Sequence, residues 1–389
     1  EHLRGVPKKE FPDTLEEMAP LYAAVIHGCR AGREQETLDE EFQGRIRRGR
    51  QFFSVNTLGA WGADLAALSG FFEKPWSRPL PGLRQGSKAF VLGEAGYCFK
   101  AIGRLREAAE PMADALRACI GQSDLMNAAI AAENLSELHL TMGDLKKAVN
   151  YAELGVELAE ITGNTFQKLA CKASLADALH RAGRLREAEA FFREAEEMQK
   201  ELQPEYPILY SLRGFQYCDF LLDREEFPEV NRRARNTANW VCRSEHVLSS
   251  ALDNVSLGRA CFLEAIDEGS GDFSLAADYL DQAMDELRRA GQQQYVPLGL
   301  LARAELHRVR GDLSRARRDL DEAWTIAKRG EMVLHQVDCH LGYARLFLAE
   351  GKTEEARKHL DTARQMVQTT GYHRRDRDVE GIENKLRTA

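Results

Sequence analysis

The sequence predicts an all-α fold, a solenoid of antiparallel helix hairpins with a period of about 40 residues. Three observations carry this prediction. A Gly followed five residues later by an Ala recurs as Gly103/Ala108, Gly143/Ala148, Gly183/Ala188, Gly271/Ala276, Gly311/Ala316 and Gly351/Ala356. Successive glycines stand 40, 40, 88, 40 and 40 residues apart. The 389-residue chain also combines 44% hydrophobic and 29% charged residues with 11 prolines, a composition suited to long helices in a folded protein.

The elements follow in order. TLEEMAPLYAAVIHGCRAG and REQETLDEEFQGRIRRGRQFF read as a helical pair over 14–50, and SVNTLGAWGADLAALSGFF as a third helix. The stretch EKPWSRPLPGLRQG, with Pro75, Pro79 and Pro81, then breaks the helical text. Residues 1–85 are therefore expected to form one and a half atypical hairpins that cap the stack or join a further domain.

From there the repeated phrase reads as a hairpin. Gly ends the first helix in the left-handed conformation at no steric cost. In the second helix the Ala, a large apolar residue and another small residue fall at i, i+4 and i+7, on one face. These are Ala108, Met112 and Ala115 in the first copy and Ala188, Phe192 and Ala195 in the third. Leu280, Leu320 and Leu360 fill the same large position, and Ala152 is the exception. The fourth unit, about 205–245, is irregular. Placing its degenerate turn at Asp223 divides the 88-residue gap into 40 and 48, and Pro228 stands where the Ala should be. Proline is tolerated near a helix start, so this second helix is expected to begin late. The array thus covers 86–370. Gly371 stops its last helix and leaves 371–389 as a polar capping helix. A sharper reading makes Arg374 and Arg375 a docking point for anionic groups; the cap is preferred.

The pattern Gly-x4-Ala-x3-large-x2-Ala resembles the second half of a tetratricopeptide repeat. The first half is present in LGEAGYCFKAIGRLREAAEPMADAL, with Leu92, Gly96, Phe99, Gly103, Ala108, Met112 and Ala115 at matching positions. The usual period is about 34 residues, and the longer one here adds nearly a turn to each helix. The resemblance implies a right-handed superhelix. Across nearly the whole chain, phrases such as GFFEKPWSRP and GYHRRDRDVE resemble the C-terminal repeat region of bacterial STAND-class signalling NTPases. That implies a sensor preceded, in a longer protein, by effector and nucleotide-binding modules, which fits a chain without an initiator methionine. No NTPase motif is present to carry over.

Chemistry is sparse. EGKT at 350–353 lacks the earlier Gly of a phosphate loop and follows a helix rather than a strand. His335, Asp338, Cys339 and His340 cluster in HQVDCH, without a second cluster to complete a zinc site, and read as ordinary helix residues. Nucleophile-elbow, zincin and dinucleotide motifs are absent from the sequence. The expectation is no enzyme and no cofactor. A net charge of -8 argues against non-specific nucleic-acid binding. Eight scattered cysteines without a Cys-x-x-Cys pair read as buried thiols of a reducing, cytoplasmic compartment. No apolar run is long enough for a membrane helix, and the polar start is not a signal peptide.

What remains is binding. The resemblance implies that first helices line a concave groove. Counting back from the turns gives Tyr97, Lys100, Glu133, Glu137, Asp177, His180, Arg213, Tyr217, Glu305 and Arg345 as groove positions. Tyr and Arg anchor interfaces, and the mixed signs do not suit an acidic tail. The chain is thus expected to be a non-enzymatic scaffold or sensor for a protein or peptide partner. A regulator capturing a short peptide or small molecule is the alternative, which a deep pocket near Tyr97, Arg213 and Tyr217 would favour. An accessory region of an enzyme whose catalytic domain lies elsewhere is the second.

Overall fold

The computed structural model describes residues 9–241 and 247–388. It opens with α1 (Leu15–Arg30), whose Thr14 side chain accepts from the Glu17 amide at 3.2 Å. A short α2 (Glu34–Glu36) widens into a π-helix over Thr37–Ile46. The third helix expected from the sequence is broken into α3 (Phe53–Asn56) and α4 (Trp61–Leu68) by a turn at Gly59, φ 61°. The turn is pressed against a distant backbone: a Cβ at Gly59 would stand 2.6 Å from the Arg289 carbonyl oxygen. The proline-rich stretch forms an antiparallel pair, β1 (Phe72–Lys74) and β2 (Arg78–Pro79). Buried Arg47 pairs with Asp64 and Glu94, both at 2.6 Å, and so ties this region to the array.

Seven hairpins follow among the described residues: α5 (Gln85–Ala101) with α6 (Leu105–Gly121), α7 (Leu125–Thr141) with α8 (Leu145–Thr162), α9 (Thr165–Arg181) with α10 (Leu185–Leu202), α11 (Ser211–Asp223) with α12 (Phe227–Val241), α13 (Val247–Asp267) with α14 (Ser274–Ala290), α15 (Val296–Val309) with α16 (Leu313–Arg329), and α17 (Val333–Ala349) with α18 (Thr353–Thr370). A final helix, α19 (Asp376–Thr388), packs on α18 and α17. Consecutive helices pack on each other along the array, which is a superhelical solenoid, except that α11 packs on α9, α12 and α13 rather than on α10. The repeated alanines are buried between paired helices, and the large residues fill the space between them. The fit is close: a Cβ at Gly96 would meet Met112 at 2.5 Å. Asp124, Asp144, Asn164 and Asp312 cap second or first helices by accepting from the amide three residues on.

In the fourth unit the left-handed turn residue is Glu225, φ 63°, not Asp223. Pro228 occupies the first turn of α12, where its missing N–H costs nothing. The seven described cysteines are free, and six of them are buried; Cys242 lies outside the described residues.

The array winds far enough to meet itself. The turn at Gly103 packs on Gln293, that at Gly143 on Val333, and that at Gly183 on His373, each contact spanning 190 residues. A first coil, α5–α10, therefore lies against a second coil, α15–α19, with α11–α14 joining them. The Gln293 amide donates to the Ala101 carbonyl at 2.6 Å, and Trp61 Nε1 to the Ala290 carbonyl at 3.0 Å. The apolar core crosses the same seam: Met332 joins the cluster of Phe99 and Leu105, and Leu334, Val337 and Tyr372 join that of Leu140 and Leu175. This burial of apolar surface between coils removes the open groove from the middle of the array.

Candidate functional site

Where the coils do not seal, a cleft of about 600 Å³ remains. That lies within the range of small-ligand sites. Tyr97 of α5, Phe166 of α9, Arg213 of α11 and Trp240 of α12 line it, with Leu248 and Ser249 of α13. Tyr206 and Tyr210 enter from the irregular segment between α10 and α11, and Gln292 and Tyr295 from the one before α15. The N-terminal region adds Val55 and Asn56. Both coils and their connection therefore share one cavity.

Its walls are aromatic. Tyr206 meets Trp240 edge-on at 5.1 Å between centroids, and Tyr210 lies 6.5 Å from Trp240 and 6.2 Å from Tyr206. Tyr97 packs on Trp61 at 5.5 Å. The Arg213 guanidinium sits 5.2 Å from the Phe166 ring centre, a cation–π arrangement. Ser211 and Ser249 hydroxyls meet at 2.6 Å. Behind the wall, Tyr295 donates to Glu137 at 2.5 Å and Lys100 to the same carboxylate at 2.6 Å. Burial pushes the Glu137 carboxyl up, but Lys100 and the Tyr295 hydroxyl outweigh it and hold it below its ordinary value. Beneath Trp240 and Ser249, Thr237 donates to buried Asp253 at 2.8 Å. Burial drives that carboxyl up to about 7.

A second cavity of about 310 Å³ has the opposite character. Arg181, Asp219, Arg259, Asp338, Arg345, Arg375 and Asp378 line it, paired among themselves. At its base Arg374, buried, donates to Asp219 at 2.8 Å and Asp223 at 3.0 Å. Burial raises the Asp219 carboxyl, but Arg374, Arg259 and Arg181 outweigh it and hold it well below the carboxylate range. Every named cation here already has an anion. Arg374 is thus not free to dock an anion; it locks the segment after α18 to α11.

The ten positions singled out from the sequence separate accordingly. Tyr97 and Arg213 line the aromatic cleft. Lys100, Glu133 and Glu137 lie behind it, with Glu133 receiving Gln167 at 3.2 Å. Asp177 pairs with Arg181 at 3.1 Å, and His180 with Asp223 at 2.8 Å beside Arg374. Glu305 binds Arg308 at 2.7 Å, and Arg345 binds Asp378. Tyr217 is in the core, stacked on Phe192 at 4.8 Å with Arg233 over its ring. The turn at Glu225 explains this. Counting six back from 225 rather than 223 gives Asp219, which does face the interior; two residues turn a helix by about 200°. Tyr206, Tyr210, Trp240 and Tyr295 were not anticipated. They sit in irregular segments or at helix ends, outside the repeat register. In HQVDCH, His335 bonds the Gln294 carbonyl at 3.0 Å and Asp338 holds Arg375. Among the described residues no group of three or more His, Cys, Asp or Glu side chains could hold a metal, and no helix is long and apolar enough to cross a membrane.

This geometry defines a helical-repeat scaffold with an interior cleft. Residues 129–162 match the tetratricopeptide repeat model, and residues 230–387 match the MalT-like TPR region. Both matched stretches are thus similar to tetratricopeptide-repeat models. Two solved structures share the chain's fold. One is a Rap protein complexed with competence and sporulation factor, with TM-score 0.58 and 12% identity, over 91% of this chain and 99% of that one. The other is the Rap conjugation gene regulator of plasmid pLS20 in complex with the Phr* peptide, with TM-score 0.55 and 11% identity, over 89% of this chain and 94% of that one. No curated protein matches the sequence.

Proposed function

We propose that the chain is a non-enzymatic scaffold and sensor that takes a short peptide segment of its partner into the cleft between the coils. The observation that carries this reading is the aromatic lining of Tyr206, Tyr210, Trp240, Tyr97 and Tyr295 around a space of about 600 Å³. Rigid aromatic surface gives large contact area at low entropy cost. The pLS20 regulator of the same fold is held with a peptide, which supports a peptide over a small metabolite. An occupant touching both coils binds the closed arrangement best and so shifts the population toward it. The MalT-like match supports a sensor region of a larger signalling protein, with 1–85 joining the array to other domains, 86–370 sensing and 371–389 closing it. Free thiols at the seven described cysteines fit a cytoplasmic setting.

The test is selection from a displayed random-peptide library. Peptides enriched on the wild-type chain should bind the Tyr210→Ser/Trp240→Ser double variant at least about 10-fold more weakly. Equal binding to both would place the partner elsewhere.

A further inference from the structure

We propose that the cleft selects a carboxylate carried beside a large apolar side chain, and that Arg213 receives it. This rests on the cleft being the binding site and goes on to name the chemistry of what it binds.

Arg213 is the one charged side chain among the described residues that line the cleft. Its Nε is buried and finds no partner among the described residues. Its contact with Glu133 is 3.5 Å, long for a charged pair, and Glu133 is already held by Gln167. A guanidinium presents five N–H donors in a planar fork, which two carboxylate oxygens match in a bidentate pair. Nε is closed off by the protein itself, so the two terminal nitrogens are the donors that a ligand in the cleft can reach, and a charged donor short of a close acceptor is costly. The Phe166 ring, 5.2 Å from the guanidinium carbon, packs against one side of the group.

The charge fits a monoanion. Asn56, Ser211, Ser249 and Gln292 are neutral, so a phosphate dianion would leave one charge unmatched. The rings of Tyr206, Tyr210 and Trp240 supply the apolar half of the recognition. Two sources share this chemistry: the free C-terminus of a peptide ending in a bulky apolar residue, or an Asp or Glu side chain beside such a residue.

Matched synthetic tetrapeptide libraries, one of free acids and one of C-terminal amides, separate them. Each is passed over the intact chain and the bound fraction read by mass spectrometry. Enrichment of free acids with bulky apolar last residues identifies the C-terminus. Enrichment of amides holding Asp or Glu beside a bulky residue identifies the side chain. In either case Arg213→Gln should abolish the preference, a loss of about 10-fold or more in affinity. Arg213→Lys should retain the charge preference in part and shows that the position tolerates change. Enrichment of bulky apolar peptides regardless of charge, unchanged in Arg213→Gln, would overturn the carboxylate assignment and leave the cleft a peptide site. Enrichment of nothing by the wild-type chain would overturn the proposed function itself.

Discussion

Gly143 and Gly311 occupy the same position of the same repeat, with nearly the same backbone, φ 81° and 79°. Their surroundings differ. A Cβ at Gly143 would lie 2.8 Å from Val333 Cβ, whereas one at Gly311 would meet nothing within 4 Å. The same holds for the sets they belong to: Gly103, Gly143 and Gly183 of the first coil are covered by the second, and Gly311 and Gly351 face open space. One motif, chosen for its local turn, has become a tertiary contact in one half of the molecule and stayed a turn in the other. The lesson is that closure of the array was built from residues the repeat already required.

Breaking the lock between the segment after α18 and α11 should have the largest effect. Arg374→Ala leaves Asp219 and Asp223 buried short of a cation and should cost about 3–5 kcal/mol, measured by urea unfolding. The two glycines give the next contrast. Gly311→Ala should cost about 1 kcal/mol, the strain of a left-handed residue. Gly143→Ala should cost about 1–3 kcal/mol more, because Val333 must also move. Equal losses would show that the coils do not touch there.

A further effect is confined to the second coil and depends on pH. His340 and His359 meet Nδ1 to Nδ1 at 2.9 Å, so one donates and one accepts. Burial, then the facing His359, pushes His340 down to about 4. The unfolded chain binds the proton near 6.5 and the folded chain only near 4, so stability falls as pH drops through that window and levels off below it. After discounting for partial exposure the loss is about 1–2 kcal/mol. Thermal melts of His340→Gln between pH 4 and 7 should show a shallower slope than wild type.

The hairpins were legible in the sequence because their packing is local: Gly103 and Ala108, or Ala188 and Phe192, meet within one repeat. The partners of those turns were not, since Gln293, Val333 and His373 lie 190 residues on and no short pattern records such a distance. Arg374 read as surface for the same reason; its acids are on α11. Tyr97 could be placed by counting from a turn, whereas the count that gives Arg213 runs from Asp223, the wrong turn, and Arg213 still lines the cleft. Tyr217 could not be placed, because Glu225 rather than Gly marks that turn. Tyr206 and Trp240 face the cleft from segments where the ruler stops, and only the coils' closure brings them together with Tyr295.

The most direct measurement is a crystal structure of the chain with a peptide that it enriches. The account expects the peptide between Trp240, Tyr97 and Tyr295, with carboxylate oxygens about 3 Å from Arg213 nitrogens. A peptide on the outer face of α6, α8 or α10, with the cleft unoccupied, would contradict it.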